Sequence, residues 1–428
     1  MPYTDVETLP RGELRELQAD RLRETVRNAH ENVPFYRDRL AEAGVDPDDV
    51  DSPEDVRQLP FTTKEDFRDE YPDGLFAVPH EAIERIHASS GTTGTPKIVA
   101  YTERDVGVWR EVMARSLVAA GVTTDDMVQN AYGYGLFTGG LGVQAGTEEL
   151  GAGVIPIGGG NTQRQIEFLR DLGPEVLTCT PSYALYLAET AREMGVDVRD
   201  LPLETVVIGA EPFTDPMREE IERELGVTAV DIYGLSEIIG PGVSIECAEV
   251  QDGLHVWEDH FLPEVVDPDT GEPVAEGERG ELVLTTLSKE ALPVLRYRTG
   301  DITTLTREPC DCGRTHARMG NVRGRSDDKL VVRGINVYPS QVESVVLDLE
   351  GVAPQYRIDI RRDGPLDTIE LTVERRAGAD PEAVEHRVET ALHNSLDVSF
   401  DEVTVVPPDG IERQATGKVQ RVYDHREE

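Results

Sequence analysis

The sequence is poor in lysine, in cysteine and in long apolar runs, and each scarcity excludes a class of protein. Only five of its 428 residues are lysine, and Asp and Glu outnumber Lys and Arg by 83 to 42. Nucleic acids and anionic membranes bind basic faces, so a net charge of −41 argues against both as partners. Four cysteines do not make a disulfide framework in a chain of this length. Because neither a membrane span nor a signal peptide is recognisable, we expect a cytoplasmic protein.

The acidic residues are spread along the whole chain and are not gathered into a tail. Hydrophobic residues make up 38% of the sequence and recur throughout, which indicates a globular chain. We interpret the excess acid as the solvated surface of a halophilic protein, because concentrated salt shortens the range of self-repulsion to a few Å. This hypothesis predicts that folding and activity depend on salt.

Strand-like and helix-like segments alternate between residues 121 and 240. Short apolar runs that end in small or polar residues, such as 205–209, are followed by helical patterns such as 215–225. This alternation predicts an α/β fold with mostly parallel, doubly wound sheets in a large N-terminal domain. Turn-rich sequence from about 254 to 306 predicts a β-rich subdomain. A charged break near Arg325 predicts an adenylation domain over 1–325 and a small, mobile α+β C-terminal domain on a hinge over 326–428.

A loop of small residues lies between two predicted strands, 83–88 and 98–102. It consists of Ser89, Ser90, Gly91, Thr92, Thr93, Gly94, Thr95, Pro96 and Lys97. Glycines and hydroxyls let backbone N–H groups approach an anion, and Lys97 adds a positive charge. The loop is not a Walker A loop, because Lys97 is followed by Ile98 instead of Ser or Thr. The sequence therefore predicts a phosphate-holding loop, and the alternative is an ordinary hairpin.

Further motifs occur along the chain, and the first two lie at the ends of predicted strands, where ligands bind in a doubly wound sheet. They comprise Gly209, Ala210, Glu211 and Pro212, then Tyr233, Gly234, Leu235, Ser236 and Glu237, then 296–301, 324–328 and 413–421. A carboxylate at a strand end suits Mg²⁺, and an aromatic ring suits stacking on adenine. An acid after a glycine turn suits two hydrogen bonds to ribose hydroxyls. The set predicts a nucleotide site.

Taken together with the loop, these motifs resemble the adenylate-forming superfamily, which includes acyl-CoA synthetases, luciferases and adenylation domains of peptide synthetases. They are most similar to its short phenylacetate–CoA ligase branch, from about residue 15 to the C-terminus. The resemblance implies an enzyme that uses ATP, Mg²⁺ and coenzyme A. It implies that Tyr233 and 209–212 flank adenine and that Ser236 contacts the α-phosphate. Glu237 would ligate Mg²⁺, Asp301 would hold the ribose, and Arg325 would contact the nucleotide.

The resemblance also assigns roles in the C-terminal region. Asp327 would be the hinge about which the small domain rotates, and Gly334 would leave room for the pantetheine arm of CoA. Lys418 would be the catalytic lysine of the first half-reaction, because its charge would stabilise negative charge developing on the α-phosphoryl group. A hinge and an ordinary charged linker share the same composition, so the residues alone do not separate them.

The carboxylic acid is predicted to bind beside Tyr134 and Phe137. These aromatic residues follow a predicted strand and stand next to the pair Gly139 and Gly140, an arrangement that suits a flat apolar group. An aromatic core cluster is the alternative for each ring taken alone. The family position favours the pocket and an arylacetic acid such as phenylacetate.

Three cysteines and one histidine are candidate zinc ligands. Cys310 and Cys312 are separated by one residue, and Cys247 and His255 would complete a closed tetrahedral site. His260 and His316 are alternatives for the fourth ligand, and some members of the resembling branch hold a structural zinc there. Reduced buried cysteines without a metal are the alternative.

Three other functions remain open at this point. The same adenylation could serve another aryl acid, such as indoleacetate or benzoate, or a carrier protein in place of CoA. A nucleotide-sensing protein without catalysis is the third, and it would predict the loss of Lys418 or Glu237, both of which are present. The exact acid, the salt optimum and the oligomeric state, for which a homodimer is one candidate, are not given by the sequence.

Overall fold

The computed structural model describes residues 2–89, 96–326, 330–332, 335–337, 339–363, 366–395, 400–413 and 419–426. The helices in this part of the chain are α1 Arg11–Asn32, α2 Pro34–Ala43, α3 Lys64–Asp69, α4 Glu103–Ala119, α5 Thr138–Leu150, α6 Thr162–Leu172, α7 Pro181–Glu193, α8 Asp215–Leu225, α9 Pro339–Leu347 and α10 Pro381–Ser395.

The strands are β1 Arg85–Ala88, β2 Ile98–Tyr101, β3 Met127–Asn130, β4 Gly153–Ile155, β5 Val176–Cys179, β6 Thr205–Gly209, β7 Thr228–Leu235, β8 Gly240–Glu246, β9 Leu254–Val256, β10 Phe261–Val266, β11 Gly280–Thr286, β12 Tyr297–Thr303, β13 Leu305–Thr306, β14 Arg318–Met319, β15 Leu330–Val332, β16 Ile335–Val337, β17 Val352–Asp363, β18 Leu366–Arg375, β19 Glu402–Val406 and β20 Val422–Asp424.

A nine-stranded sheet organises the large N-terminal domain, with strand order β13-β14-β9-β8-β7-β6-β5-β3-β4. The neighbours from β7 to β4 pair in parallel, whereas β8, β9, β14 and β13 continue the sheet in antiparallel fashion. Strands β5 and β6 are almost wholly buried, because helices pack on the sheet. The predicted α/β class is confirmed, with the parallel pairing confined to five strands.

The strand ends of this sheet are shaped by left-handed residues that end the helices. Gly173 and Gly226 follow α6 and α8 with φ of 60° and 73°, which stops each helix and turns the chain into the next strand. Because β6 and β7 pair in parallel, their carboxyl ends lie side by side at one edge. The residues that follow them, Ala210 and Ser236, begin the candidate site.

The β-rich part and the small C-terminal domain form separate sheets. Strands β10, β11 and β12 make a three-stranded antiparallel sheet, as the turn-rich sequence predicts. The C-terminal domain has a four-stranded sheet in the order β19-β18-β17-β20, with α9 and α10 packed on a core of its own, and β15 and β16 form a hairpin. The predicted α+β class of this domain is confirmed.

The two domains meet along α7 and α8. Leu347 of α9 packs against the apolar cluster that α7 and α8 build with the sheet. The guanidinium of Arg376 donates two hydrogen bonds to the Glu220 carboxylate on α8, at 2.8 and 2.9 Å. Among the described helices, none has the length and apolarity needed to cross a membrane.

Candidate active site

The two ends of the small-residue loop are tied together at the base of the β1–β2 hairpin. The Ser89 backbone N–H donates to the Lys97 carbonyl at 3.0 Å, and the Lys97 backbone N–H donates to Ser89 Oγ at 3.2 Å. The hairpin also holds the acid-pocket segment, because the Ala88 N–H donates to the Leu136 carbonyl. Six of the seven residues between the two ends lie outside the described residues: Ser90, Gly91, Thr92, Thr93, Gly94 and Thr95.

Glu237 is a buried carboxylate that pairs with the loop lysine. Its Oε1 forms an ion pair with Lys97 Nζ and accepts a hydrogen bond from the Tyr297 hydroxyl at 3.0 Å. Burial, the largest single influence, would raise the pKa of the Glu237 carboxyl. The Lys97 ammonium, together with hydrogen bonds from a backbone N–H and the Tyr297 hydroxyl, outweighs burial and holds that pKa below its usual range. Glu237 is therefore ionised at neutral pH and offers an anionic oxygen ligand.

Asp301 joins two other predicted residues in one hydrogen-bonded group. Its Oδ2 accepts from the Tyr233 hydroxyl at 2.6 Å, and its Oδ1 accepts from Arg325 Nη1 at 2.8 Å. Asp301 and Arg325 also face each other across an antiparallel bridge, and Arg325 Nη2 reaches the Thr299 carbonyl at 3.0 Å. Burial, followed by the Asp301 charge, raises the pKa of Tyr233 well above its usual value, so Tyr233 stays a neutral donor.

The segments after β6 and within β7 have tight backbone geometry. A Cβ on Gly209 would lie 2.3 Å from the Ile232 carbonyl oxygen, so only glycine fits there. Ala210 follows with φ of 72°, a conformation uncommon for a residue with a side chain. A Cβ on Gly234 would lie 1.9 Å from the Gly240 carbonyl oxygen. Ser236 Oγ lies 3.5 Å from Thr138 Oγ1.

The predicted acid pocket follows β3. Asn130 Nδ2 donates to the Tyr134 hydroxyl at 2.9 Å and to the Gly140 carbonyl at 2.8 Å, which fixes the chain between them. Tyr134 and Phe137 are half-buried and Leu136 is 65% exposed, whereas Tyr132 belongs to the core. The two rings assigned to the pocket are thus the ones accessible from outside. Their contact with an acid stays a prediction.

Three residues assigned by resemblance in the C-terminal region lie outside the described residues: Asp327, Gly334 and Lys418. Their neighbours Ser326 and Val419 are described. The Ser326 N–H donates to the Gly300 carbonyl at 2.6 Å, and the Val419 N–H donates to Glu211 Oε1 at 3.0 Å. Glu211 therefore contacts the C-terminal domain, whereas the resemblance had placed 209–212 only beside adenine.

The four candidate zinc ligands converge at the antiparallel edge of the large sheet. Their ligand atoms all lie within 4.8 Å of one another, with Cys247 Sγ 3.8 Å from Cys310 Sγ and Cys312 Sγ 3.3 Å from His255 Nε2. A tetrahedron with 2.3 Å zinc–sulfur bonds has sulfur–sulfur edges of about 3.8 Å. This donor set fits a closed zinc site.

The two alternative histidines have other partners. His316 Nε2 contacts the Val6 carbonyl and its Nδ1 accepts from the Glu258 N–H, both at 3.1 Å. His260 Nδ1 lies 2.6 Å from Ser288 Oγ. The geometry therefore favours His255 as the fourth ligand.

Two functional candidates were missed by sequence reasoning. Lys289 is buried, donates to the Glu237 carbonyl at 3.3 Å and lies over the Tyr101 ring; burial lowers its pKa to about 8. Tyr297 donates to the Glu237 carboxylate. The scarcity of lysine was an available signal for Lys289, since only five occur. Tyr297 lies in the motif 296–301, in which only Asp301 was predicted to have a role.

Two family models match the chain. Residues 16–288 match the AMP-binding enzyme model, and residues 334–426 match the AMP-binding enzyme C-terminal domain. The first match spans more than half of the 428 residues and contains the candidate nucleotide residues up to Glu237.

Full-length relatives narrow the family. The chain is 53% identical to phenylacetate–coenzyme A ligase of Thermus thermophilus, over 100% of both chains. It is 47% identical to phenylacetate–coenzyme A ligase of Escherichia coli, over 98% of this chain and 97% of that one. The chain belongs to the AMP-binding enzymes, in the family of the phenylacetate–coenzyme A ligases. The predicted family membership is confirmed.

Solved structures of 2-hydroxyisobutyryl-CoA ligase resemble the whole chain. In the postadenylation state with 2-HIB-AMP, that enzyme is 30% identical, with a TM-score of 0.91 over 100% of this chain and 94% of the other. In the thioesterification state with 2-HIB-AMP and CoA, the TM-score is 0.74 over 99% and 92%. The domain arrangement seen here is therefore closer to the postadenylation arrangement of that enzyme.

Proposed function

We propose that the chain converts phenylacetate, ATP and CoA into phenylacetyl-CoA, AMP and pyrophosphate. In the first half-reaction a carboxylate oxygen attacks the α-phosphorus of ATP, and the bond to pyrophosphate breaks. In the second, the CoA thiolate attacks the acyl carbon, and AMP leaves. The observation that carries this proposal is a cluster of side chains at one edge of the large sheet: Glu237, Lys97, Asp301, Tyr233 and Arg325. The chain that holds them is 53% identical to such a ligase.

The nucleotide would lie over the carboxyl edge of the sheet. We propose that the Asp301 carboxylate accepts the ribose hydroxyls, with Tyr233 and Arg325 keeping it oriented. The backbone of residues 209–212 and the Tyr233 ring would flank adenine, while the Glu211 carboxylate is engaged by the Val419 and Ser182 N–H groups. Ser236 would donate to the α-phosphate. The loop 89–97, with Lys97 at its end, would hold the β- and γ-phosphates.

Glu237 is the proposed ligand for Mg²⁺. Its ionised carboxylate is a hard oxygen ligand of the type this cation prefers, and it stands beside the phosphate loop through its ion pair with Lys97. When bound, Mg²⁺ would neutralise charge on the phosphates. Because Lys97 and the metal use the same carboxylate, we expect Lys97 to turn from Glu237 towards phosphate when MgATP binds.

The C-terminal domain is proposed to serve both half-reactions. Lys418 would stabilise the charge that develops during adenylation. Rotation about Asp327 would then withdraw it and open the path beside Gly334 for the pantetheine arm of CoA. We place the domain boundary after Arg325, because Arg325 still pairs with Asp301 of the large domain. The two domain arrangements of the 2-hydroxyisobutyryl-CoA ligase support this rotation.

ATP–pyrophosphate exchange across a panel of acids tests the function. We expect exchange with phenylacetate and less or none with indoleacetate, benzoate or short aliphatic acids. Exchange without CoA but thioester only with CoA would identify CoA, and not a carrier protein, as the acceptor. No exchange with any aryl acid would refute the proposed substrate class. No ATP turnover with any acid would favour a nucleotide-sensing protein without catalysis.

Replacing Glu237 with Gln is expected to lower adenylation by about 100-fold and to raise the Mg²⁺ concentration needed for half-maximal rate. The amide keeps the size of the side chain and an oxygen for the Tyr297 hydroxyl, but it loses the charge that binds the metal. Titrating Mg²⁺ in the exchange assay measures both effects. Glu249→Gln, an exposed carboxylate after β8, is the matched control. An unchanged Mg²⁺ dependence in Glu237→Gln would contradict the assignment.

We also propose that the acidic surface adapts a cytoplasmic enzyme to concentrated salt. Raising KCl from 0.1 M to 2 M is expected to raise the unfolding midpoint by about 10 °C, because screening removes self-repulsion among the carboxylates. Sucrose at matched osmolality separates charge screening from exclusion of solute, and it should shift the midpoint much less. Full stability and activity at low ionic strength would contradict the proposal.

A further inference from the structure

The two residues that flank 414–418 contact the large domain, one at α7 and the other at Glu211 after β6. Arg413 Nε donates to Glu189 Oε2 on α7 at 3.3 Å, and the Val419 N–H donates to Glu211 Oε1 at 3.0 Å. The other oxygen of Glu211 accepts the N–H of Ser182, in the first turn of α7, at 3.2 Å. Glu211 therefore connects the end of one helix with the residue that directly follows Lys418 in the sequence.

Within the C-terminal domain, hydrogen bonds hold the chain at Arg413 and just after Val419. Arg413 is largely buried, and its Nη1 and Nη2 donate to Glu374 of β18, each at 2.7 Å. Nη1 also donates to the Ile411 carbonyl at 2.9 Å, and Nε is directed towards Glu189. Two residues beyond Val419, the Arg421 carbonyl accepts the Ile358 N–H at 2.7 Å, just before β20 pairs with β17. The residues that flank 414–418, Arg413 and Val419, are thus both held in place by hydrogen bonds.

We propose that Glu189 and Glu211, here called the docking pair, are positioning residues that place Lys418 for the adenylation half-reaction. The inference rests on the proposed function, and in particular on the role of Lys418. The pair acts on the backbone and on Arg413, so neither carboxylate needs to touch ATP. Carboxylates suit both positions, because Glu211 accepts a hydrogen bond from a backbone N–H and Glu189 accepts one from a guanidinium.

We expect the docking pair to act in one arrangement of the two domains, the arrangement seen here. Its contacts join α7 to the C-terminal domain in a structure that resembles the postadenylation state of 2-hydroxyisobutyryl-CoA ligase with a TM-score of 0.91, against 0.74 for the thioesterification state. Contacts made in one arrangement stabilise only the step that uses it. Loss of the pair is therefore expected to slow adenylation and to leave thioester formation unaffected.

The test measures the two half-reactions separately in the full chain. Glu211→Ala is expected to lower kcat for ATP–pyrophosphate exchange by about 10- to 100-fold, as for a lost hydrogen bond to a charged acceptor. The KM for ATP and the rate of thioester formation from supplied phenylacetyl-adenylate should stay within about twofold of wild type. Glu211→Gln keeps one accepting oxygen and should recover most of the exchange rate.

A second variant keeps the proposal testable if Glu211→Ala unfolds because it no longer accepts the N–H in the first turn of α7. Glu189 lies within α7 with a side chain 34% exposed, so Glu189→Ala should fold and lower exchange by about 3- to 10-fold. Glu193→Ala, an exposed carboxylate on the same helix, is the matched control and should leave exchange unchanged.

Several results would overturn the proposal. A raised KM for ATP with unchanged kcat in Glu211→Ala would show that its side chain serves the adenine. Equal losses in both half-reactions, or no loss in either variant, would show that the pair does not position Lys418. Lys418→Ala, measured in parallel, distinguishes the two levels: if it lowers exchange and the docking variants do not, only this inference fails. If wild type gives no exchange with phenylacetate, the proposed function fails.

Discussion

Lys418→Ala should lower the rate of phenylacetate adenylation by about 100- to 1,000-fold, the loss expected for one charge aimed at a developing oxyanion. The proposed site has few other cations for this task. Lys97 is proposed to hold the β- and γ-phosphates, and Arg325 is paired with Asp301. ATP–pyrophosphate exchange measures the step directly, and the KM for ATP should change little because Lys418 acts mainly on the transition state.

The same variant should form phenylacetyl-CoA from supplied phenylacetyl-adenylate at a rate close to wild type. This difference between half-reactions separates a catalytic role from damage to the fold, which would slow both. Lys64→Ala, at the start of α3, controls for the removal of a lysine from a chain that has only five. Equal losses in both half-reactions of Lys418→Ala would contradict the assigned role.

Cys310→Ser should remove the proposed zinc and lower the unfolding midpoint by more than 10 °C. Structural zinc contributes about 10 kcal/mol or more to folding in small zinc domains, and loss of a metal is among the largest single-site effects. The site would join three separate segments of the antiparallel edge, at Cys247, at His255 and at the turn of Cys310 and Cys312. Metal analysis of purified protein should find about one zinc per chain in wild type and less than half in the variant.

Cys179→Ser is the matched control for that experiment. Cys179 is a fully buried thiol in the core beside α7, away from the cluster, and burial raises the pKa of its thiol above the usual value. The substitution makes the same atomic change at a buried site and should retain the zinc. Wild-type protein with less than half an equivalent of zinc, or equal zinc loss in both variants, would refute a closed structural site.

The sequence predicted the parallel sheet and its strand ends closely, because alternation and turn residues are local signals. The predicted range 205–209 is β6 itself, and 215–225 is α8 itself. The nucleotide motifs were recognised through the family resemblance. Ala210 and Ser236 directly follow β6 and β7, whereas Tyr233 and Asp301 lie within β7 and β12. The pairing of Tyr233 with Asp301, by contrast, joins residues 68 positions apart and follows from packing alone.

Contacts between distant segments were the part that sequence could not give. The choice of His255 over His260 and His316 depends on the register of β9 with β14, where His255 faces Arg318 a few residues after the Cys310 turn. Glu211 had been assigned beside adenine, and its contact with Val419 spans 208 residues. Lys289 was missed because burial beside Glu237 leaves no pattern in the residues around it.

The most direct test of the proposed reaction is the balance of its products. With phenylacetate, MgATP and CoA, the purified enzyme should release AMP, pyrophosphate and phenylacetyl-CoA in equal amounts, and omission of CoA should abolish the thioester while exchange continues. Formation of ADP and phosphate, or thioester formation without AMP, would contradict activation through an adenylate.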